Sequence, residues 1–123
     1  MSRAVRHEAE TEAAAEDLFE MANLFPVTTG LPMTVWVRPR GNAGHDVRVK
    51  VNMTHGNQMN PANTAVVALR PSPRIIAGQL SPDDERATFQ WVTLNAAALV
   101  AYWEGQIDTV QLGGILKPLP PNP

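Results

Sequence analysis

Three histidines, His7, His45 and His55, are the only side chains here that ordinarily titrate near neutral pH, and the chain has no cysteine. The missing thiols exclude disulfides, thiolate nucleophiles and Cys-ligated zinc. A histidine metal site needs its ligands together. His7 lies in an acidic N-terminal stretch, while His45 and His55 flank one expected strand, roughly 30 Å apart if it is straight. No metal or other cofactor is expected. His45 and Asp46 do not make a general-base pair, because neighbours on a strand point to opposite faces. Ser72 stands between Pro71 and Pro73, without the strand–turn–helix setting of a nucleophile elbow. Gly41-Asn42-Ala43-Gly44 lacks the pattern of a phosphate loop. Asp83, Asp84 and Glu85 match the positive end of a helix dipole rather than an acid–base pair. The residues point away from catalysis, and a small hydrolase using His45 or His55 is the enzymatic alternative.

Charge is the more informative pattern. The formal net charge is −2. Residues 1–20 set two arginines against six acids, whereas residues 21–123 hold eight basic and six acidic groups. From His45 to Met53, Val47, Val49, Val51 and Met53 alternate with Asp46, Arg48, Lys50 and Asn52, the period of a strand with one buried face. From Met33 to Arg38, Val35 and Val37 alternate with Thr34, Trp36 and Arg38. With both valine sets turned inward, Trp36, Arg38, Arg48, Lys50 and Asn52 share the outer face. Arg40 and His45 fall in the loop at one end of it, and Arg70 and Arg74 extend it. Cations beside an exposed aromatic suit phosphate contact with base stacking, or an acidic protein partner. Arg38 and Arg40 have the fork geometry for bidentate contacts. The plain alternative is a solvated face that protects a sheet edge. Residues 8–20, rich in acids, are a candidate built-in competitor for any anionic partner.

The elements that position these residues are legible from period and punctuation. Residues 4–20 form either a short helix or a tail without fixed structure. Residues 63–70, centred on Ala65-Val66-Val67-Ala68-Leu69, suit a buried central strand, and Arg74 to Leu80 adds a short edge strand through Ile75 and Ile76. Ser81-Pro82-Asp83-Asp84-Glu85 starts a helix: Ser81 caps it, Pro82 fits its first position and the acids suit its dipole. Phe89, Val92, Ala96, Leu99 and Trp103 then make one stripe along about four turns, ending at Gly105. Asp108 or Thr109 caps a short terminal helix with Val110, Leu112, Ile115 and Leu116. The expected fold is therefore α+β: a short antiparallel sheet of three to four strands packed on one long C-terminal helix, plus the short terminal helix. Its divisions are an acidic segment 1–22, one domain 23–119 and a Pro-rich tail 120–123. No apolar run is long enough to span a bilayer, and the absence of cysteine fits a cytoplasmic protein.

Trp91-Val92-Thr93-Leu94-Asn95, Leu99, Tyr102-Trp103-Glu104-Gly105, Ile107, Thr109 and Leu116-Lys117-Pro118-Leu119 together resemble the bacterial domain-of-unknown-function 4160 family. The segment from His45 to Val51 is similar to that family's strand, although the usual H-x-H stands here as His45-Asp46-Val47. The likeness runs from Gly30 onward. It implies a short antiparallel sheet ahead of a helix, and an accessory or toxin–antitoxin-type interaction role without established catalysis.

Together these readings favour a non-enzymatic binding module, its basic sheet face engaging nucleic acid or an acidic protein. A homodimer, formed through a sheet edge or an exposed part of the stripe around Trp91, Tyr102 and Trp103, is the structural alternative.

Overall fold

The computed structural model describes residues 21–121. Residues 1–20 of the acidic segment, and with them the masking role of residues 8–20, lie outside these residues, whereas Met21 and Ala22 of that segment are described and buried. Five strands, β1 (Ala22–Leu24), β2 (Val35–Val37), β3 (Arg48–Asn52), β4 (Thr64–Ala68) and β5 (Arg74–Ala77), form one antiparallel sheet in the order of the sequence. A one-turn helix, α1 (Pro26–Thr29), lies between β1 and β2. Three helices follow the sheet: α2 (Pro82–Leu94), α3 (Ala96–Trp103) and α4 (Thr109–Ile115).

The α+β class is as expected, with one strand more than the three to four foreseen. The extra strand is β1, whose alternation of Ala22, Asn23 and Leu24 is too short to stand out in the sequence and which is held by its register against β2. Each valine set lies where the alternation put it. Leu24, Val35, Val51 and Ala65 face one another across the sheet, as do Ala22, Val37, Val49 and Val67. These side chains join Trp91, Val92, Leu99, Tyr102, Trp103 and Leu112 in one buried cluster. Burying a valine fully is worth roughly 1.5–3 kcal/mol, so this inner face is the main adhesive of the fold. Met53 leaves the pattern: β3 ends at Asn52, and Met53 is exposed.

The single long helix expected over residues 81–104 is two helices broken at Asn95. The apolar stripe runs through the break, which is why period alone does not reveal it. Asn95 is buried and puts its side chain to three uses. Its Nδ2 donates to the carbonyls of Trp91 (3.0 Å) and Lys117 (2.9 Å), and its Oδ1 accepts from the Lys117 amide (2.8 Å). A side chain that binds backbone this way competes with helix continuation. The bond pair to Lys117 also draws the C-terminal segment onto the helix junction, and Leu119 N–H then donates to Thr29 O at 2.7 Å. Gly30 makes that crossing possible. Its φ is +75°, and a Cβ there would sit 2.3 Å from the Leu119 carbonyl oxygen.

The helix starts are as read. Ser81 Oγ accepts from Asp84 N–H at 3.1 Å, with Pro82 in the first turn of α2. Asp108 and Gln111 form a reciprocal capping box on α4.

Candidate anion-binding face

Strand register decides which side chains meet on the outer face. One row across the sheet reads Asn23, Trp36, Lys50, Val66 and Ala77. The next reads Arg48, Ala68 and Arg74, and continuing the β2–β3 register by two residues sets Arg38 opposite Arg48. Arg38, Arg48 and Lys50 therefore share one face, with Arg74 two strands beyond Arg48. All three are half-buried, and each is already engaged by other groups. Arg38 Nε also donates to the carbonyl of Pro39 at 3.1 Å.

Two expected members of the face do not present themselves to solvent. Trp36 has the outer register, but it is 3% exposed and lies outside the valine–helix cluster. Alternation assigned its face correctly and its exposure wrongly, so no aromatic platform for base stacking is on display. Asn52 is fully buried and spent on the β3–β4 hairpin. Its Nδ2 donates to Asn60 O (3.1 Å), and its Oδ1 accepts from the Thr54 amide (3.1 Å). An amide satisfied by its own loop holds that turn and is not offered to a ligand.

The segment between β2 and β3, which carries Arg40 and His45, is drawn toward the helices. The Arg40 amide donates to Trp103 O at 2.9 Å, and the His45 ring packs on Trp103 with centroids 5.4 Å apart and planes at 31°. Arg40 is exposed but belongs to none of the ladder rows. His45 Nδ1 lies 2.8 Å from the Asp46 carbonyl oxygen, and that contact orients the ring. The strand expected from His45 begins only at Arg48, so strand alternation does not govern His45 and Asp46; the histidine ring packs on Trp103 while the Asp46 carboxylate meets Arg70.

Asp46 and Arg70 are the pair that motif reading passes over. Continuing the β3–β4 register by two residues sets them opposite each other, supported by the Leu69 N–H to Val47 O bond. Arg70 Nε donates to Asp46 Oδ2 at 3.1 Å, and Nη2 donates to Oδ1, making a two-point fork. The guanidinium, helped by the Val47 amide, holds the Asp46 carboxyl down at about 2. Asp46 in turn raises Arg70 above its usual value. Arg74 Nη1 donates to Arg70 O at 2.8 Å. Beside this pair lies a cleft of about 200 Å³ lined by His45, Asp46, Arg48, Arg70, Arg74 and Ile76. The sequence signal for the pair was available in principle, as two opposite charges at matching positions of a β-hairpin.

No family model, curated protein or solved structure matches the chain. The likeness to the domain-of-unknown-function 4160 family therefore rests on its residues alone and carries none of the functional argument.

The remaining candidates separate. His55 Nε2 lies 2.8 Å from Asp84 Oδ2, far along the fold from the Trp103 contact of His45. Among the described residues no three His, Cys, Asp or Glu cluster as metal ligands. Trp91, Tyr102 and Trp103 are 0%, 4% and 3% exposed. The aromatic stripe is core, so Trp91, Tyr102 and Trp103 offer no surface to a second copy of the chain. No helix among the described residues is long and apolar enough to cross a membrane.

Proposed function

We propose that the chain is a non-enzymatic binding module whose outer sheet face engages an acidic protein segment. The observation that carries this is the gathering of Arg38, Arg48, Lys50 and Arg74 on adjacent rows of one face, beside an arginine that already holds a carboxylate in a fork. Three features favour an acidic polypeptide over nucleic acid. The chain's net charge is −2, where nucleic-acid modules are typically strongly basic. Trp36 is not exposed for stacking. The anion held on the face is itself a carboxylate. Since Arg38, Arg48 and Lys50 are already engaged, association exchanges partners rather than occupying bare cations. The affinity expected is modest and salt-sensitive.

The test is a titration of the full chain with a labelled glutamate-rich peptide and, separately, with single-stranded and duplex DNA of equal charge. Saturable, salt-weakened binding of the peptide in preference to both nucleic acids supports the reading. Preference for either nucleic acid sinks it.

One observation favours the hydrolase alternative: the His55–Asp84 contact lies beside a cleft of about 500 Å³ that Asp84 helps line. Thr54, next to His55 in sequence, has its hydroxyl oxygen accepting from Asn63 Nδ2 at 2.7 Å, and Ser81, three residues before Asp84, is occupied as the α2 cap. Assay of wild type and His55→Ala on phosphoesterase substrates decides this reading, which requires turnover that the substitution abolishes. Of the two surfaces named for the homo-oligomeric alternative, the sheet edge is the one that burial of the stripe does not remove.

A further inference from the structure

The Asp46–Arg70 pair is more than one ion pair among several on the surface. Its two groups are cross-strand partners on the cationic face, and their fork is the geometry in which an arginine receives an acidic side chain. Both side chains line the cleft of about 200 Å³, which has room for a carboxylate and a few methylenes. Arg74, exposed, sits across the cleft through its bond to the Arg70 carbonyl. Ile76, at the register shift of β5, adds an apolar wall that is 44% exposed. Arginine, a second arginine and an apolar wall are what a glutamate side chain needs: a fork for its head and a surface for its stem.

We infer that this cleft is a carboxylate-exchange pocket, in which Asp46 occupies Arg70 as an internal stand-in and is displaced by an acidic side chain of the partner. The inference rests on the binding role proposed for the face and names the position where one partner carboxylate is read. Exchange moves Asp46 off Arg70 but leaves its charge on the cleft wall, so the arriving carboxylate is offset by Arg74 beside it. The pair is solvent-exposed, with side chains about half accessible, so displacement requires no unfolding. The internal carboxylate thereby sets a threshold. A single weak carboxylate competes poorly with a tethered one, while a run of acids spread over Arg70, Arg74 and Arg48 outcompetes it.

The experiment is a double-mutant cycle on the full chain, reading anisotropy of the labelled glutamate-rich peptide at low salt. Asp46→Asn should tighten binding about two- to fivefold, the range of an exposed ion pair. Arg70→Gln should weaken binding by a similar factor. In the Arg70→Gln background, Asp46→Asn should do much less than it does alone. In parallel, the Arg70 Nε–H resonance of wild type should shift as peptide is added. Each substitution removes the exposed pair's small contribution to stability, so its urea midpoint is measured alongside and affinity is read where every form is fully folded, leaving a change in affinity as a change at the pocket. If Asp46→Asn and Arg70→Gln leave peptide affinity unchanged while Arg74→Glu lowers it, the pocket inference falls and the binding face stands. If no form binds the peptide, both fall together. A fixed Arg70 resonance at saturation also overturns the exchange.

Discussion

Trp36 and Asp46 act on the molecule in opposite ways, one by being covered and the other by being paired in the open. Trp36 on the outer face is a large side chain with almost no exposure, and its removal leaves a void. Trp36→Ala should cost about 3–5 kcal/mol, read as a drop in the urea midpoint at unchanged slope. A cost under about 1 kcal/mol would mean the ring lies on an open surface after all. For Asp46 the sign follows from its partner. The carboxyl sits at about 2 in the fold against an ordinary value of 3.8, so its contribution is complete above 3.8 and is lost as pH falls through about 2. A carbon-detected titration of the Asp46 carboxyl should show a midpoint near 2 in wild type, returning toward 3.8 in Arg70→Gln. Equal midpoints in the two proteins would remove Arg70 as the cause. At neutral pH the stand-in carboxylate is ionised, and the pocket is held by charge.

Two small features at the ends of elements hold the helical layer to the sheet. Asn95 ends α2 and binds Lys117 through both faces of its amide. Asn95→Ala leaves a backbone donor and acceptor without their partner and should cost about 1–3 kcal/mol. It should also speed amide exchange at Leu119, whose N–H bonds Thr29 only while the segment stays in place. Unchanged exchange at Leu119 would show that the segment is held by something else. Gly30→Ala pushes on the same crossing from below and should destabilise by about 1–3 kcal/mol, since φ is +75° and the Leu119 backbone blocks a Cβ. Element by element, legibility follows the strength of the local period. β2, β3 and β4 show in their valine alternation, and the starts of α2 and α4 show in Ser81 and Asp108. β1 has three residues, too few for its alternation to be read; its register against β2 makes it a strand. The break at Asn95 is hidden because the apolar stripe continues across it, and only the distant Lys117 backbone reveals why the helix stops.

Across the molecule, the two sheet faces have separate tasks: valines against the helices on one, cations in rows on the other. Alternation of residue types displays that division directly, so Arg38, Arg48 and Lys50 were placed on one face from the sequence. It says which face a side chain takes and nothing about what lies over it, so Trp36 was expected in solvent and Asn52 on offer to a ligand. Nor does it give the path of a loop. Arg40 and His45 follow the segment 39–47 to Trp103, a contact between distant parts of the chain. The Asp46–Arg70 fork likewise forms only once β3 and β4 are paired in register.

The most direct test of the binding face is charge reversal at Arg74, which is exposed and forms part of the cation rows. Peptide anisotropy should show Arg74→Glu weakening the glutamate-rich ligand about threefold or more at low salt, with the difference shrinking as salt is raised and thermal unfolding unchanged. Equal affinity of Arg74→Glu and wild type across the salt series would contradict the account and leave the cation rows as a solvated surface.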